Sequence, residues 1–158
     1  IEVARNQGYT CGGILTDKAA DNSIIIEDVQ SGERETLASI KNVYHGPRTT
    51  RYFFNPRGIY FGIQAIDKGI SSAILLIDEI GQLELRGEGF AEVPELIKAG
   101  KIKECVLVIR KELLSDFLPQ LGATPFVFET TAANRNHLPD EIGLMLSRTD
   151  TAESEQTS

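Results

Sequence analysis

The spacing of apolar positions changes partway along the chain. Up to residue 41 the apolar residues come in short β-branched runs between polar links. Tyr9 to Thr16, Ile24 to Val29 and Glu35 to Lys41 read as strands, with Asp17 to Asn22 as a loop and Gln30 to Glu33 as a turn. This opening predicts a small antiparallel unit. Arg51 to Phe54 reads as a further short strand. Asn55-Pro56 then supplies an N-cap and a first-turn proline, and Ile59, Ile63, Ile66 and Ile70 follow on one helix face. Beyond that helix, continuous apolar runs alternate with helical ones. Ala73 to Asp78, Glu104 to Ile109 and Pro125 to Glu129 are predicted strands. Gly87 to Lys98, Lys111 to Leu121 and Leu138 to Ser147 are predicted helices. Such alternation predicts an α/β fold: a mostly parallel sheet with helices on both faces, carrying a small antiparallel extension near the N-terminus. Residues 1–148 are expected to form a single domain, and 149–158, which lack any apolar pattern, a disordered tail.

Composition narrows the class. No apolar run exceeds five residues, far short of the roughly 20 a membrane span needs. Lys plus Arg is 16 and Asp plus Glu 23, a net charge of −7, which argues against broad duplex binding and leaves room for a local anion site. The two cysteines, Cys11 and Cys105, match no zinc spacing and read as free thiols of a reducing, cytoplasmic compartment. The two histidines have no Cys or His neighbour at ligand spacing, so neither a zinc site nor a Ser-His hydrolase is expected.

Three places can carry chemistry. The strand Ile74 to Ile77 ends in Asp78-Glu79. Ligands of open parallel sheets bind beyond the carboxyl ends of strands, where an Asp can hold Mg²⁺ and a following Glu can orient or deprotonate water. Acids also follow strands simply because the chain reaches solvent there. Secondly, the stretch between Glu35 and Asp67 lacks acidic residues but holds Lys41, Arg48, Arg51 and Arg57, a basic island of +4 in an acidic chain. Its Gly46-Pro47-Arg48-Thr49-Thr50-Arg51 loop suits a polyanion, since the guanidinium fork matches phosphate oxygens. The bland alternative is a solvated loop whose arginines pair with surface carboxylates. Thirdly, Thr130 to Pro139, rich in amides and containing Arg135, either lines a base pocket or merely starts the last helix. A receiver-like domain also ends strands in Asp, but Arg110-Lys111 would be its only candidate base and the antiparallel opening fits it poorly.

Taken together, GGILTD (Gly12 to Asp17), LLIDEIGQLEL (Leu75 to Leu85) and NRNHLP (Asn134 to Pro139) resemble the small P-loop nucleoside-triphosphatase family first associated with thermophiles, also called the cancer-related nucleoside-triphosphatase family. The resemblance spans residue 1 to about Arg148 and implies a P-loop NTPase-like three-layer sandwich. It implies a Walker B segment with Asp78 serving Mg²⁺ and Glu79 serving water. Within that reading Arg48 and Arg51 of the basic loop are the candidates for contact with the terminal phosphate, and Thr16, Asn134 and Arg135 for contact with the nucleotide. In NRNHLP, Asn136 stands where the family has Asp. The chain departs from the family at its front: it contains no G-x-x-x-x-G-K-[ST] loop. Ile1 to Gln7, closed by Gly8, reads as the end of the helix that would follow such a loop. A strand, loop and helix of roughly 20–30 residues are therefore expected upstream, and the 158 residues alone are expected to be inactive. The implied activity is Mg²⁺-dependent hydrolysis of ATP- or GTP-type nucleotides, with no membrane or nucleic-acid partner. The alternatives are a small-molecule or nucleoside kinase on the same scaffold, and a degenerate, non-enzymatic nucleotide-binding or assembly protein.

Overall fold

The computed structural model describes residues 1–102 and 104–146. Ser147 of the predicted last helix and the predicted 149–158 tail lie outside them. The described residues form two compact units, one from residues 10–124 and the other from residues 1–9 together with those from 125 onward.

In the smaller unit, helix α1 (Glu2–Asn6) ends as expected before Gly8, whose φ is +90°. Residues 138–146 are helical. Gly143 lets this helix approach α1: a Cβ there would lie 2.8 Å from a methyl of Val3. The predicted strand Pro125–Glu129 is not one; these residues join no ladder, and Phe126 and Val127 are 80% and 54% exposed. A β-rich sequence forms a strand only where a neighbour offers free N–H and C=O groups, and none of the described residues pairs with it.

The larger unit is built on one six-stranded sheet: β1 (Cys11–Lys18), β2 (Ile24–Asp28), β3 (Arg34–Ser39), β4 (Phe53–Phe54), β5 (Ile74–Ile80) and β6 (Cys105–Ile109), in the order β4-β3-β2-β1-β5-β6. The antiparallel opening is not a separate appendage. β1 pairs antiparallel with β2 on one side and parallel with β5 on the other, so it joins both halves. Because Pro125–Glu129 adds no strand, β1–β5 and β5–β6 are the parallel pairs, and the sheet is mixed rather than mostly parallel among the described residues.

Helix α2 (Pro56–Gly69) crosses β1, β2 and β3. Its start is fixed as the sequence implies. The Asn55 side chain accepts a hydrogen bond from the Arg57 N–H at 3.1 Å and donates one to the Thr36 carbonyl at 2.9 Å. This cap therefore also fastens the helix to β3. The isoleucine stripe is only part of the buried face. Gly58, Gly62, Ala65 and Gly69 are buried together with Ile66, while Ile59, Ile63 and Ile70 pack at the margin. A Cβ on Gly62 would sit 2.6 Å from Ile26 and from the Phe90 ring. Small residues bring the helix axis close to the sheet, and the isoleucines cover the flanks. Ile14, Ile26, Leu75, Ile77, Ile80 and Phe117 complete the core.

Two predicted helices are shorter than expected. Helix α3 is confined to Val93–Lys98, and Glu84–Arg86 forms a separate 3₁₀ turn ending at Gly87, with φ +77°. Gly89, inside the predicted helix, has φ +61°, a left-handed conformation that an α-helix cannot continue through, and Pro94 sets the new start. From Lys111 the chain makes a 3₁₀ turn, then helix α4 (Leu114–Phe117), then a second 3₁₀ turn at Leu118–Gln120. Pro119 lacks the N–H that a continuous helix would use there. Among the described residues no helix is long and apolar enough to cross a membrane.

Candidate active site

Parallel pairing brings the carboxyl ends of β1, β5 and β6 to one edge of the sheet. Ile14 faces Ile77, and Asp78 faces Val108. Thr16 therefore lies two residues past its strand's last pairing with β5. Asp78 and Glu79 stand at the end of β5, and Arg110 follows the last residue of β6. The Asp78–Glu79 peptide bond is cis.

Four aliphatic residues carry Asp78 into a half-buried position. Burial, and secondarily the charge of Glu79, push its carboxyl up to about 6. A cation beside it would offset both effects. Among the described residues no three of His, Cys, Asp and Glu converge to form a metal cage. One hard carboxylate at an open edge suits Mg²⁺, which keeps waters and takes substrate phosphates as its remaining ligands.

Glu79 has a different environment. Its Oε1 accepts hydrogen bonds from both Nε of Arg110, at 2.9 Å, and a terminal guanidinium nitrogen. That hydrogen bonding holds the Arg110 guanidinium above its ordinary range, with the charges of Glu79, Glu112 and Tyr52 adding to it and burial opposing it. Tyr52 is thus near enough to Arg110 to act on its charge. The Arg110 and Glu79 side chains are 46% and 34% exposed, so the pair contributes only about 0.2–1 kcal/mol and is readily exchanged for a stronger partner.

Tyr52 belongs to the arginine loop, which is ordered by its threonine. The Thr49 N–H donates to the Tyr52 carbonyl at 2.9 Å, and Thr49 Oγ1 accepts from the Tyr52 N–H at 3.1 Å. Arg51 stacks over the Tyr52 ring, 5.5 Å from its centroid. Arg86 donates to the Arg48 carbonyl at 2.8 Å, tying the loop to the segment that leaves β5. Arg57 pairs with Glu35 at 3.0 Å, as the bland reading expects. Arg48 and Arg51 are exposed, and among the described residues neither has a carboxylate partner.

The segment after β5 is held by Glu84, a buried acid that the sequence pattern does not single out. Its Oε2 accepts from the Gly81 N–H at 2.8 Å and its Oε1 from the Phe90 N–H at 3.0 Å. This carboxylate closes the 81–90 loop on itself. Glu84→Gln keeps the size but turns an NH₂ toward one of the two N–H donors. The variant is expected to lose about 1–3 kcal/mol, the cost of one buried donor left unsatisfied. Urea denaturation measures it; an unchanged midpoint would show that the loop does not depend on this acid.

Of the sequence-predicted residues, Asp78, Glu79 and Thr16 meet at this edge, and Arg48 is tied to it through Arg86. Arg51 shares the turn of Tyr52 and stacks on its ring. Asn134 and Arg135 belong to the smaller unit. The Asn134 side chain accepts from the Thr131 N–H at 2.7 Å and donates to the Glu129 carbonyl at 2.8 Å, so it organises the turn before the last helix. Arg135 is exposed. Sequence reasoning missed the role of Arg110. Its signal is positional: a first residue after a buried strand, on the neighbour of the strand ending in Asp78-Glu79. Neither Cys11 nor Cys105 is in a disulfide, and burial, aided by Glu104, pushes the Cys105 thiol up to about 11, which disfavours the thiolate near neutral pH.

A mixed sheet flanked by helices, with an acid pair at its carboxyl edge, an adjacent arginine and a fastened arginine loop, makes this an α/β protein whose architecture fits a P-loop NTPase-like fold. The profile of the NTPase family matches residues 1–143, and the chain belongs to that family. It is 24% identical over 146 residues to "Nucleoside-triphosphatase THEP1" of Methanosarcina barkeri, covering 89% of this chain and 82% of the relative. The protein of the same name from Methanothermobacter thermautotrophicus is 30% identical over 115 residues, 68% of this chain and 64% of the relative. The crystal structure of THEP1 from the hyperthermophile Aquifex aeolicus shares the fold, with a TM-score of 0.74 at 18% identity, over 92% of this chain and 88% of that one. The family resemblance of GGILTD, LLIDEIGQLEL and NRNHLP is thereby borne out, as is the expectation of an enzyme that hydrolyses nucleoside triphosphates.

Proposed function

We propose that the β1–β5–β6 edge is where this nucleoside triphosphatase cleaves the terminal phosphate of ATP- or GTP-type nucleotides in the cytoplasm. The observation that carries this is Asp78: a half-buried carboxylate beside a second acid, with its pKa raised to about 6, at the edge where such sheets bind ligands. In this reading Asp78 holds Mg²⁺, which supplies positive charge to the phosphate oxygens when bound. Glu79 aims its carboxylate at the attacking water and accepts its proton. Arg48 and Arg51, which lack carboxylate partners, take up negative charge on the terminal phosphate. The Thr16 hydroxyl contributes at the β1 end of the edge; a role for Asn134 and Arg135 toward the nucleotide rests on the family likeness of NRNHLP alone. The chain has no G-x-x-x-x-G-K-[ST] loop of its own, so these residues account for metal, water and phosphate charge but not for a backbone phosphate cradle.

Product analysis on the full-length protein tests the reading. Free phosphate is expected to appear without any acceptor, to stop on EDTA addition and to return with Mg²⁺. Dependence on a nucleoside or other hydroxyl compound would overturn it in favour of a kinase. Nucleotide binding without Mg²⁺-dependent turnover would overturn it in favour of a non-enzymatic nucleotide-binding protein.

A further inference from the structure

Arg110 stands at the same edge as Asp78 and Glu79, yet the proposed chemistry gives it no task. Its position is specific. It follows β6 directly, the strand next to β5, and it directs two hydrogen bonds at one oxygen of Glu79. Both donors occupy the oxygen that would otherwise accept a hydrogen bond from water. The carboxylate is thus aimed at an arginine rather than at water. Three features make the arrangement exchangeable. The pair is partly exposed. A guanidinium fork fits phosphate oxygens as well as it fits carboxylate. A terminal phosphate bound beside Asp78 would bring more negative charge than Glu79 carries.

We propose that Arg110 is a positioning residue that exchanges partners: it holds the Glu79 carboxylate while the site is empty and moves to the terminal phosphate when a nucleoside triphosphate binds, freeing Glu79 for water. This rests on the hydrolase reading above and deepens it. The exchange makes the base available only when the phosphate to be attacked is present. It discriminates triphosphate from diphosphate, because a diphosphate lacks the group that draws Arg110 away.

The test is ¹⁵N–¹H spectroscopy of arginine side chains in the full-length protein, with the Arg110 Nε–H signal assigned by its loss in Arg110→Lys. The β,γ-imido analogues of ATP and GTP, with Mg²⁺, are expected to move this signal; Mg²⁺ with ADP or GDP is expected to leave it at its free position. In parallel, Arg110→Ala is expected to weaken binding of the imido analogues by about tenfold or more, the loss of a charge-assisted hydrogen bond. Diphosphate affinity should stay within about twofold, and Arg110→Lys should recover part of the loss. A signal that is the same with diphosphate and triphosphate analogue, while free phosphate is still released, overturns the exchange and leaves the hydrolase reading standing. Equal loss of diphosphate and triphosphate affinity in Arg110→Ala also overturns it, since a merely structural arginine would act that way. If no nucleotide moves any arginine signal or binds, both readings fall together.

Discussion

Glu79→Gln is expected to bind Mg²⁺-nucleotide with near-normal affinity while losing turnover by about 10²- to 10⁴-fold, the contribution of a positioned general base. The substitution keeps the side chain's length and one oxygen, so Arg110 retains an acceptor and the edge keeps its shape. What it removes is the ability to take a proton from water. Asp78 stays in place, and its carboxyl loses the neighbouring charge that helps to hold its pKa near 6. Cation binding should therefore weaken only modestly. Titration with a fluorescent nucleotide and a steady-state phosphate-release assay on the same preparation separate the two quantities. Equal losses of affinity and turnover would mean that Glu79 binds rather than activates, and unchanged turnover would remove it from the mechanism. Asp78→Asn provides the contrast. It should lower both the apparent Mg²⁺ affinity and the rate, since the carboxylate assigned to the cation is gone.

The parts of this site that could be read along the sequence are those set by local rules. Asn55-Pro56 announced the start of α2, and the structure shows the asparagine cap in place. The run of aliphatics ending in Asp78-Glu79 announced a buried strand reaching a sheet edge. The absence of acids between Glu35 and Asp67 announced a basic loop. What could not be read is what depends on partners distant in sequence. Nothing in the opening strands says that β1 will pair in parallel with β5, sixty residues away along the chain, and that pairing is what places Thr16 beside the acid pair. In the sequence Arg110 reads only as a candidate base of a receiver-like domain; its place beside Glu79 depends on β6 lying next to β5. Only the folded 81–90 loop shows two backbone donors converging on Glu84. Pro125–Glu129 failed in the opposite sense. Its β-branched and aromatic residues favour a strand, but a strand is a property of two neighbours. The helices shortened for local reasons visible in retrospect: a left-handed Gly89 and the ring of Pro119 each interrupted a pattern that apolar spacing alone would have continued.

The same sheet makes Gly13→Ala the most damaging small substitution expected in the chain. Gly13 lies in β1, the strand that joins the antiparallel and parallel halves, and pairs with Leu76 of β5. Its φ is +103°, and a Cβ built on it would lie 2.0 Å from the Leu76 carbonyl oxygen. The first feature costs about 1–3 kcal/mol for any residue with a side chain. The second cannot be relieved by rotating a flexible group, because the obstacle is backbone; displacing it adds about 1–3 kcal/mol of overpacking strain. A total of about 2–6 kcal/mol is a large share of the roughly 5–15 kcal/mol that typically holds a domain together. Gly32→Ala isolates the conformational part. Gly32 also has a positive φ, +73°, but its Cβ would meet nothing within 4 Å. Urea denaturation of the two variants against the parent is expected to show a loss of about 1–3 kcal/mol for Gly32→Ala and about twice that for Gly13→Ala; equal losses would mean that β5 yields easily. The consequence reaches the site, because Asp78 is two residues beyond Leu76 on the strand that would have to move. At temperatures where Gly13→Ala is still folded, its Mg²⁺-dependent phosphate release should fall more than that of Gly32→Ala, since moving β5 against β1 shifts the acid pair away from Thr16.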